Sequence, residues 1–298
     1  MHIECSGRSY AVLSFSLEES VWMYSPVVRM SSPDVLPSSR WTWGGSTLEY
    51  EVVSVTVDGA GHYLYTSYPA GYWDYHHRMS LPVCREGTIA ELCSDLGLSF
   101  VTSHSYQQLV RHWWVFGSMR GRRLFDTLVL GSGCIDGGCS TFHYNMAGDF
   151  VFADLLAMRG CDPVFSFSGV MQSYSATRES SVEVPGVVDF CFDGDMGVGD
   201  YVRVEFDTSS LLGGFKSYIS NDELKSYREW RMRHQYWRTV LRSREFEFSV
   251  VVLGGTPQVG CVCLNQDGSS GGTQLVCTRY ELSYTGTEPS VRLSCLSL

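Results

Sequence analysis

The sequence predicts a mainly β chain with an α/β insertion between two antiparallel β domains, and three observations carry that reading. Short runs of alternating apolar and polar residues, divided by turn dipeptides, fill residues 9–75 and return after about residue 169. Between them the pattern shifts to helix-like spacing and glycine-rich segments. One stretch, Asn221 to Arg244, repeats apolar residues at helical intervals. The expected organisation is a β domain at 1–78, an α/β insertion at 79–168, and a second β domain at 169–298 with a long helix at 220–244.

In the first part, Tyr10-Ala-Val-Leu-Ser-Phe, Val27-Val-Arg-Met and Leu48-Glu-Tyr-Glu-Val-Val-Ser-Val-Thr-Val read as strands. Gly44-Gly45 and Asp58-Gly59 bound the last of them, and the whole reads as a small barrel or sandwich. In the insertion, Thr88 is placed to cap a helix carrying Ile89, Leu92, Cys93 and Leu96, with Gly97 at its end. A helical or mixed stretch follows at Tyr106 to Met119, then the apolar Leu128-Val-Leu130, then a loop marked by the glycines from Gly131 to Gly138. Strands return at Val187-Val-Asp-Phe-Cys-Phe, Tyr201-Val-Arg-Val-Glu-Phe, Phe246-Glu-Phe-Ser-Val-Val-Val-Leu, Val259-Gly-Cys-Val-Cys-Leu, Gln274-Leu-Val-Cys and Ser290-Val-Arg-Leu-Ser-Cys-Leu. Asp193-Gly194, Gly254-Gly255 and Asp267-Gly268 supply turns. Ser220 and Glu223 form a capping box for the late helix, whose Leu224, Tyr227, Trp230, Trp237 and Leu241 must pack on something.

Composition excludes several classes. The chain has 298 residues, 44% hydrophobic and 18% charged, which is globular rather than disordered. A net charge of −10 argues against wholesale nucleic-acid binding. The arginine clusters at Arg120, Arg122 and Arg123, and from Arg228 through Arg231, Arg233, Arg238, Arg242 and Arg244, read as solvated or subunit-facing surface. The 11 cysteines are odd in number and irregular in spacing, and the start reads as a strand rather than a signal peptide, so reduced thiols and synthesis in a cytoplasm are expected. No apolar run approaches the roughly 18 residues of a membrane helix.

Candidate chemistry is sparse. Cys134 and Cys139, with His143 nearby, suggest a metal or redox site, but four residues part the thiols and no second pair stands at zinc-site distance. Structural cysteines in a glycine-rich loop are the preferred reading, and whether these three residues hold a metal stays open. Cys261 and Cys263 fall in an alternating run that places both on one strand face as apolar groups. His76 and His77, read as strand neighbours, point to opposite faces. Asp193, Asp195 and Asp200 lack the pattern of a calcium loop. With no Gly-x-Ser-x-Gly, Walker or His-Glu-x-x-His motif, no catalytic, metal or cofactor residue is assigned and no enzyme is expected.

Two stretches resemble the tail (baseplate) hub proteins of bacteriophages and related contractile injection machines. One is Gly87-Thr-Ile-Ala-Glu-Leu-Cys-Ser-Asp-Leu-Gly-Leu-Ser-Phe, with Ser105-Tyr-Gln-Gln and Trp113-Trp-Val-Phe after it. The other is Gly197-Val-Gly-Asp-Tyr-Val-Arg-Val, with Gln274-Leu-Val-Cys-Thr-Arg-Tyr-Glu-Leu-Ser matching the closing strands. The resemblance implies two small tube-like barrels flanking the insertion and a homotrimer that presents six barrels to a hexameric tail tube. It further implies a trimeric spike or tip on the other face, a DNA path crossed without specific binding, and a place in the virion tail. Interface candidates under this reading are Trp22, Trp41, Trp43, Trp73, Trp113, Trp114, Tyr227, Trp230 and Trp237. Competing readings are a β-sandwich glycan-binding or attachment module using Trp22, Trp41, Trp43 and Trp73, another viral shell protein, and a cysteine hydrolase using Cys139 and His143.

Overall fold

A computed structural model of the chain describes residues 1–23, 25–43, 48–78, 83–87, 94, 99–102, 111–115, 140–155, 158, 160–174, 187–191, 201–206, 215–217, 241–242, 244–267, 272–286 and 288–297. Seven strands occupy the N-terminal part: β1 (His2–Cys5), β2 (Arg8–Ala11), β3 (Ser14–Ser20), β4 (Val27–Ser32), β5 (Arg40–Trp43), β6 (Tyr50–Val57) and β7 (Tyr63–Pro69). One short helix follows, α1 (Ala70–Arg78), and then β8 (Val83–Gly87), β9 (Phe100–Thr102), β10 (Arg111–Val115), β11 (Ser140–Tyr144) and β12 (Phe150–Asp154). The remainder is β13 (Phe165–Tyr174), β14 (Val187–Cys191), β15 (Tyr201–Phe206), β16 (Phe215–Ser217), β17 (Glu245–Gly254), β18 (Val262–Asn265), β19 (Thr273–Tyr284) and β20 (Pro289–Leu296). The fold is mainly β.

Twelve strands from both ends of the chain form one sheet in the order β18-β13-β17-β20-β19-β3-β4-β7-β6-β5-β1-β2. β18 pairs in parallel with β13 and antiparallel with β19, so β13, β17, β20, β19 and β18 close into a circuit of five strands. β3 pairs with β19 from Phe15↔Tyr284 to Ser20↔Arg279 and is the seam between this circuit and the N-terminal strands. The first hairpin closes through Ser6 and Gly7, both at positive φ (50° and 73°), the two-residue turn whose twist matches the flanking strands.

Each side of the seam has its own core. Ile3, Phe15, Leu17, Val28, Met30, Trp41, Tyr50 and Tyr65 fill the N-terminal one. Val151, Leu155, Phe167, Phe248, Cys263, Val276, Leu293 and Cys295 fill the other. The seam strands serve both, because each is long enough to cross from one core to the next: Phe15 and Leu17 enter the first core and Val21, just past β3, the second. In β19, Thr278 interrupts the register between Cys277↔Cys295 and Arg279↔Ser294, and around this bulge Leu275 to Thr278 are buried consecutively.

Several sequence expectations need correction. His76 and His77 lie on α1, not on a strand, so the strand alternation expected for them does not apply. Pro69 ends β7 and Tyr72 is buried against Tyr144, which draws this aromatic-rich segment into a helix that its composition does not announce. Within Tyr106 to Met119, Arg111–Val115 is a strand paired with β8; aromatic and β-branched side chains favour that state. β18 begins at Val262, so Cys261 lies in the preceding turn, where Gly260 has φ +81°. The loop at Gly131–Gly138, the turn at Asp193–Asp200 and the body of the 220–244 helix lie outside the described residues. So does the Thr88–Gly97 helix apart from helical Ser94, whereas Leu241 and Arg242 are helical.

Candidate functional site

The seam gathers buried titratable side chains, Glu19 and His143 among them. At the end of β3, alternation turns Glu19 inward while Glu18 faces Arg29 and Arg279 at the surface. Glu19 and His143 of β11 are both buried, with His143 Nε2 3.7 Å from Glu19 Oε1, beyond hydrogen-bond reach. Neither imidazole nitrogen has a hydrogen-bond partner among the described residues. Burial pushes the Glu19 carboxyl up to about 8, opposed by the Met146 N–H that it accepts, and burial pushes His143 down to about 4. Gly260 lies against the imidazole: any added Cβ there would stand 3.4 Å from its Cε1.

Glu245, at the start of β17, ties the seam from the other side. Its Oε1 accepts from Trp22 Nε1 at 2.7 Å and from the hydroxyl of Thr278, the bulge residue, at 2.6 Å. Three thiols sit in the adjacent core: Cys263 and Cys295 have Sγ atoms 3.8 Å apart, and Cys277 is the register partner of Cys295. Among the described residues no group of three His, Cys, Asp or Glu is arranged to hold a metal ion. Cys134 and Cys139 lie outside the described residues, and His143, which sequence reasoning joined to them, stands beside Glu19.

The aromatic candidates separate into different roles. Trp41 is 1% exposed and stacked on Tyr50 in the N-terminal core, so it offers no face to a partner or a sugar. Trp22 is half-buried, with the Arg242 guanidinium 5.9 Å from its ring centroid. Trp43 stacks on Phe15, and Trp73 on Tyr68. A cavity of about 360 Å³, lined by Met1, Phe15, Trp43, Leu282, Tyr284 and Pro289 among others, opens beside Trp43, whose buried Nε1 has no partner among the described residues. Trp113 and Trp114 are neighbours on β10, while Tyr227, Trp230 and Trp237 lie outside the described residues. Sequence reasoning missed Glu19 and Glu245. The signal available was the Glu18-Glu19 pair inside a strand, one of which must point inward.

No protein-family model matches the chain, and no curated protein matches it either. Solved structures do. The 43 kDa tail protein of prophage MuSo2 from Shewanella oneidensis is similar over 99% of this chain and 97% of its own, with a TM-score of 0.58 and 10% identity. A tail protein of Neisseria meningitidis covers 99% of this chain and 95% of its own at a TM-score of 0.59 and 11% identity. The chain has the fold of phage tail proteins. The tail-protein fold extends to an E. coli component of the type VI secretion system, described as structurally similar to the bacteriophage T4 tail proteins gp27 and gp5. That component covers 99% of this chain and 76% of its own, with a TM-score of 0.50 and 10% identity. In this tail-protein fold no helix among the described residues is long and apolar enough to cross a membrane.

Proposed function

We propose that the chain is a non-catalytic structural component of a phage-type tail, a baseplate hub that joins a hexameric tail tube to a trimeric spike and lines the path of DNA. The observation that carries this reading is the pairing of two β units in one chain, the closed five-strand circuit and the N-terminal strands, fused at β3–β19. Three copies would then present six such units, which is how threefold and sixfold symmetry are reconciled. The likeness over nearly the full length of two tail proteins supports the reading, as does the likeness to a secretion component compared with gp27 and gp5. Division into two barrels at 1–78 and 169–298 around an insertion at 79–168 belongs to the same proposal, with β13, which begins at Phe165, assigned to the C-terminal barrel.

Subunit contacts are assigned to apolar side chains left exposed on each unit: Val55, Val57 and Leu64 on β6–β7, and Val170, Val251 and Val252 on β13–β17. The half-buried Trp22, Trp43 and Trp73, with Trp113 and Trp114, are rim candidates; Trp41 is not. A net charge of −10 suits a wall past which DNA slides. The protein would be made in the host cytoplasm and reside in the virion tail.

Light scattering of the purified chain, with imaging of particles, tests the reading: a trimer forming a ring with a central hole is expected, and Val251→Glu together with Val55→Glu should dissociate it. A particle lacking this chain whose tail tube still joins its spike would overturn it.

A further inference from the structure

The β11–β12 hairpin meets both cores. Tyr144 packs on Tyr72 of α1, Tyr50 Oη lies 3.5 Å from Met146 Sδ in the hairpin turn, and Val151, Ala153 and Leu155 enter the C-terminal core. At its centre Glu19 reaches from β3 to the Met146 N–H and stands 3.7 Å from His143. A carboxyl and an imidazole 3.7 Å apart and both out of water titrate as one coupled unit, although no hydrogen bond joins them: acid plus neutral imidazole and carboxylate plus imidazolium carry the same number of protons. We propose that Glu19 and His143 form a one-proton latch that fastens the β11–β12 hairpin to the seam between the two β units.

The geometry sets how the latch responds. The other titratable side chains that act on Glu19 among the described residues are Cys261 from the turn before β18, and Cys277 and Tyr280 from β19, all neutral at pH 7. No Lys or Arg among the described residues pairs with Glu19, so among them a lone negative charge there is uncompensated, and hydration on opening of the hairpin favours it. In the closed state the pair holds one proton between about pH 4 and about pH 8. In an opened, hydrated state it holds two below 4.5, one from 4.5 to 6.5 and none above 6.5. Closure is therefore independent of pH from 4.5 to 6.5, weakens on the acid side below 4.5, and weakens as pH rises from 6.5 to about 8. The alkaline limb spans about 1.5 pH units, a loss of roughly 30-fold in the closing equilibrium. The latch acts within one chain and does not depend on the assembly proposed above.

Hydrogen exchange of the full-length chain tests this, with rates corrected for the intrinsic pH dependence of exchange. Amides of Thr141–Phe150 should keep constant protection from about pH 5 to 6.5 and lose roughly 30-fold by about pH 8, ahead of the β3–β4 amides. Glu19→Gln preserves an acceptor for Met146 but cannot ionise; its protection should instead rise up to pH 6.5, where neutral His143 is favoured, and stay level above it. Hairpin protection in the native chain that is constant through about pH 8, or that falls uniformly with every other strand, overturns the latch, as does a Glu19→Gln profile parallel to the native one. If Glu19→Gln does not fold, the native profile alone decides.

Discussion

Trp41 and Tyr50 stack with ring centroids 4.8 Å apart and planes 18° apart, and Trp41 Nε1 donates to Ser67 Oγ at 3.0 Å. The pair joins β5, β6 and β7 inside the N-terminal core, where Ser67 is itself wholly buried. Trp41→Ala should cost about 3–5 kcal/mol in urea unfolding. Trp41→Phe keeps most of the packing but strands the serine hydroxyl, at about 1–3 kcal/mol. Wild-type stability in both variants would place the energetics of this core elsewhere.

Gly169 sits where β13 shifts register against β17, and a Cβ there would lie 2.5 Å from the carbonyl oxygen of Ser249. Asp267 holds the same irregularity, accepting from Ser168 Oγ at 2.6 Å and from the Gly169 N–H. Gly169→Ala should destabilise by roughly 1–3 kcal/mol, since the obstacle is backbone and cannot rotate away. Asp267→Ala should cost about 1 kcal/mol, as its bonds are exposed to water. A thermal midpoint in Gly169→Ala equal to that of the native chain would contradict the close approach of these strands.

Leu17 is wholly buried and stands opposite Leu282 across the seam. Leu17→Ala should cost about 2–5 kcal/mol. Because β3 and β19 each feed two cores, the loss should lower the unfolding midpoint of the closed circuit as well as that of the N-terminal strands. Hydrogen exchange at β4 for the N-terminal side and at β20 for the other would follow the two separately. A β20 transition unmoved by the substitution would show that the seam does not couple them.

Burial pushes the Cys295 thiol well above the ordinary range and Cys261 up to about 11. At neutral pH both are thiols rather than thiolates, and Cys295 has no access to solvent. An aromatic disulfide reagent should leave Cys295 and Cys261 unmodified in the native chain and label both after denaturation, as read by mass spectrometry of peptides. Rapid native labelling of Cys295 would mean that the circuit opens on the time scale of the reaction.

Sequence alone determined the β class and much of the strand placement, since alternation and turn dipeptides are local. The runs at 48–57, 201–206, 246–253 and 290–296 all overlap observed strands. Only the tertiary structure decided the pairing. Alternation says which side chains share a face, but not that Phe15 would lie beside Tyr284, or that β18 would run parallel to β13. Those choices follow from long-range packing, for which the chain carries no periodic mark. The same limit explains Trp41, whose indole suits a core and an interface equally until its neighbours are in place. It explains Glu19 too: a carboxyl in a strand marked Glu18-Glu19 is surface by composition, and becomes a buried partner of His143 only when β11 folds over the seam.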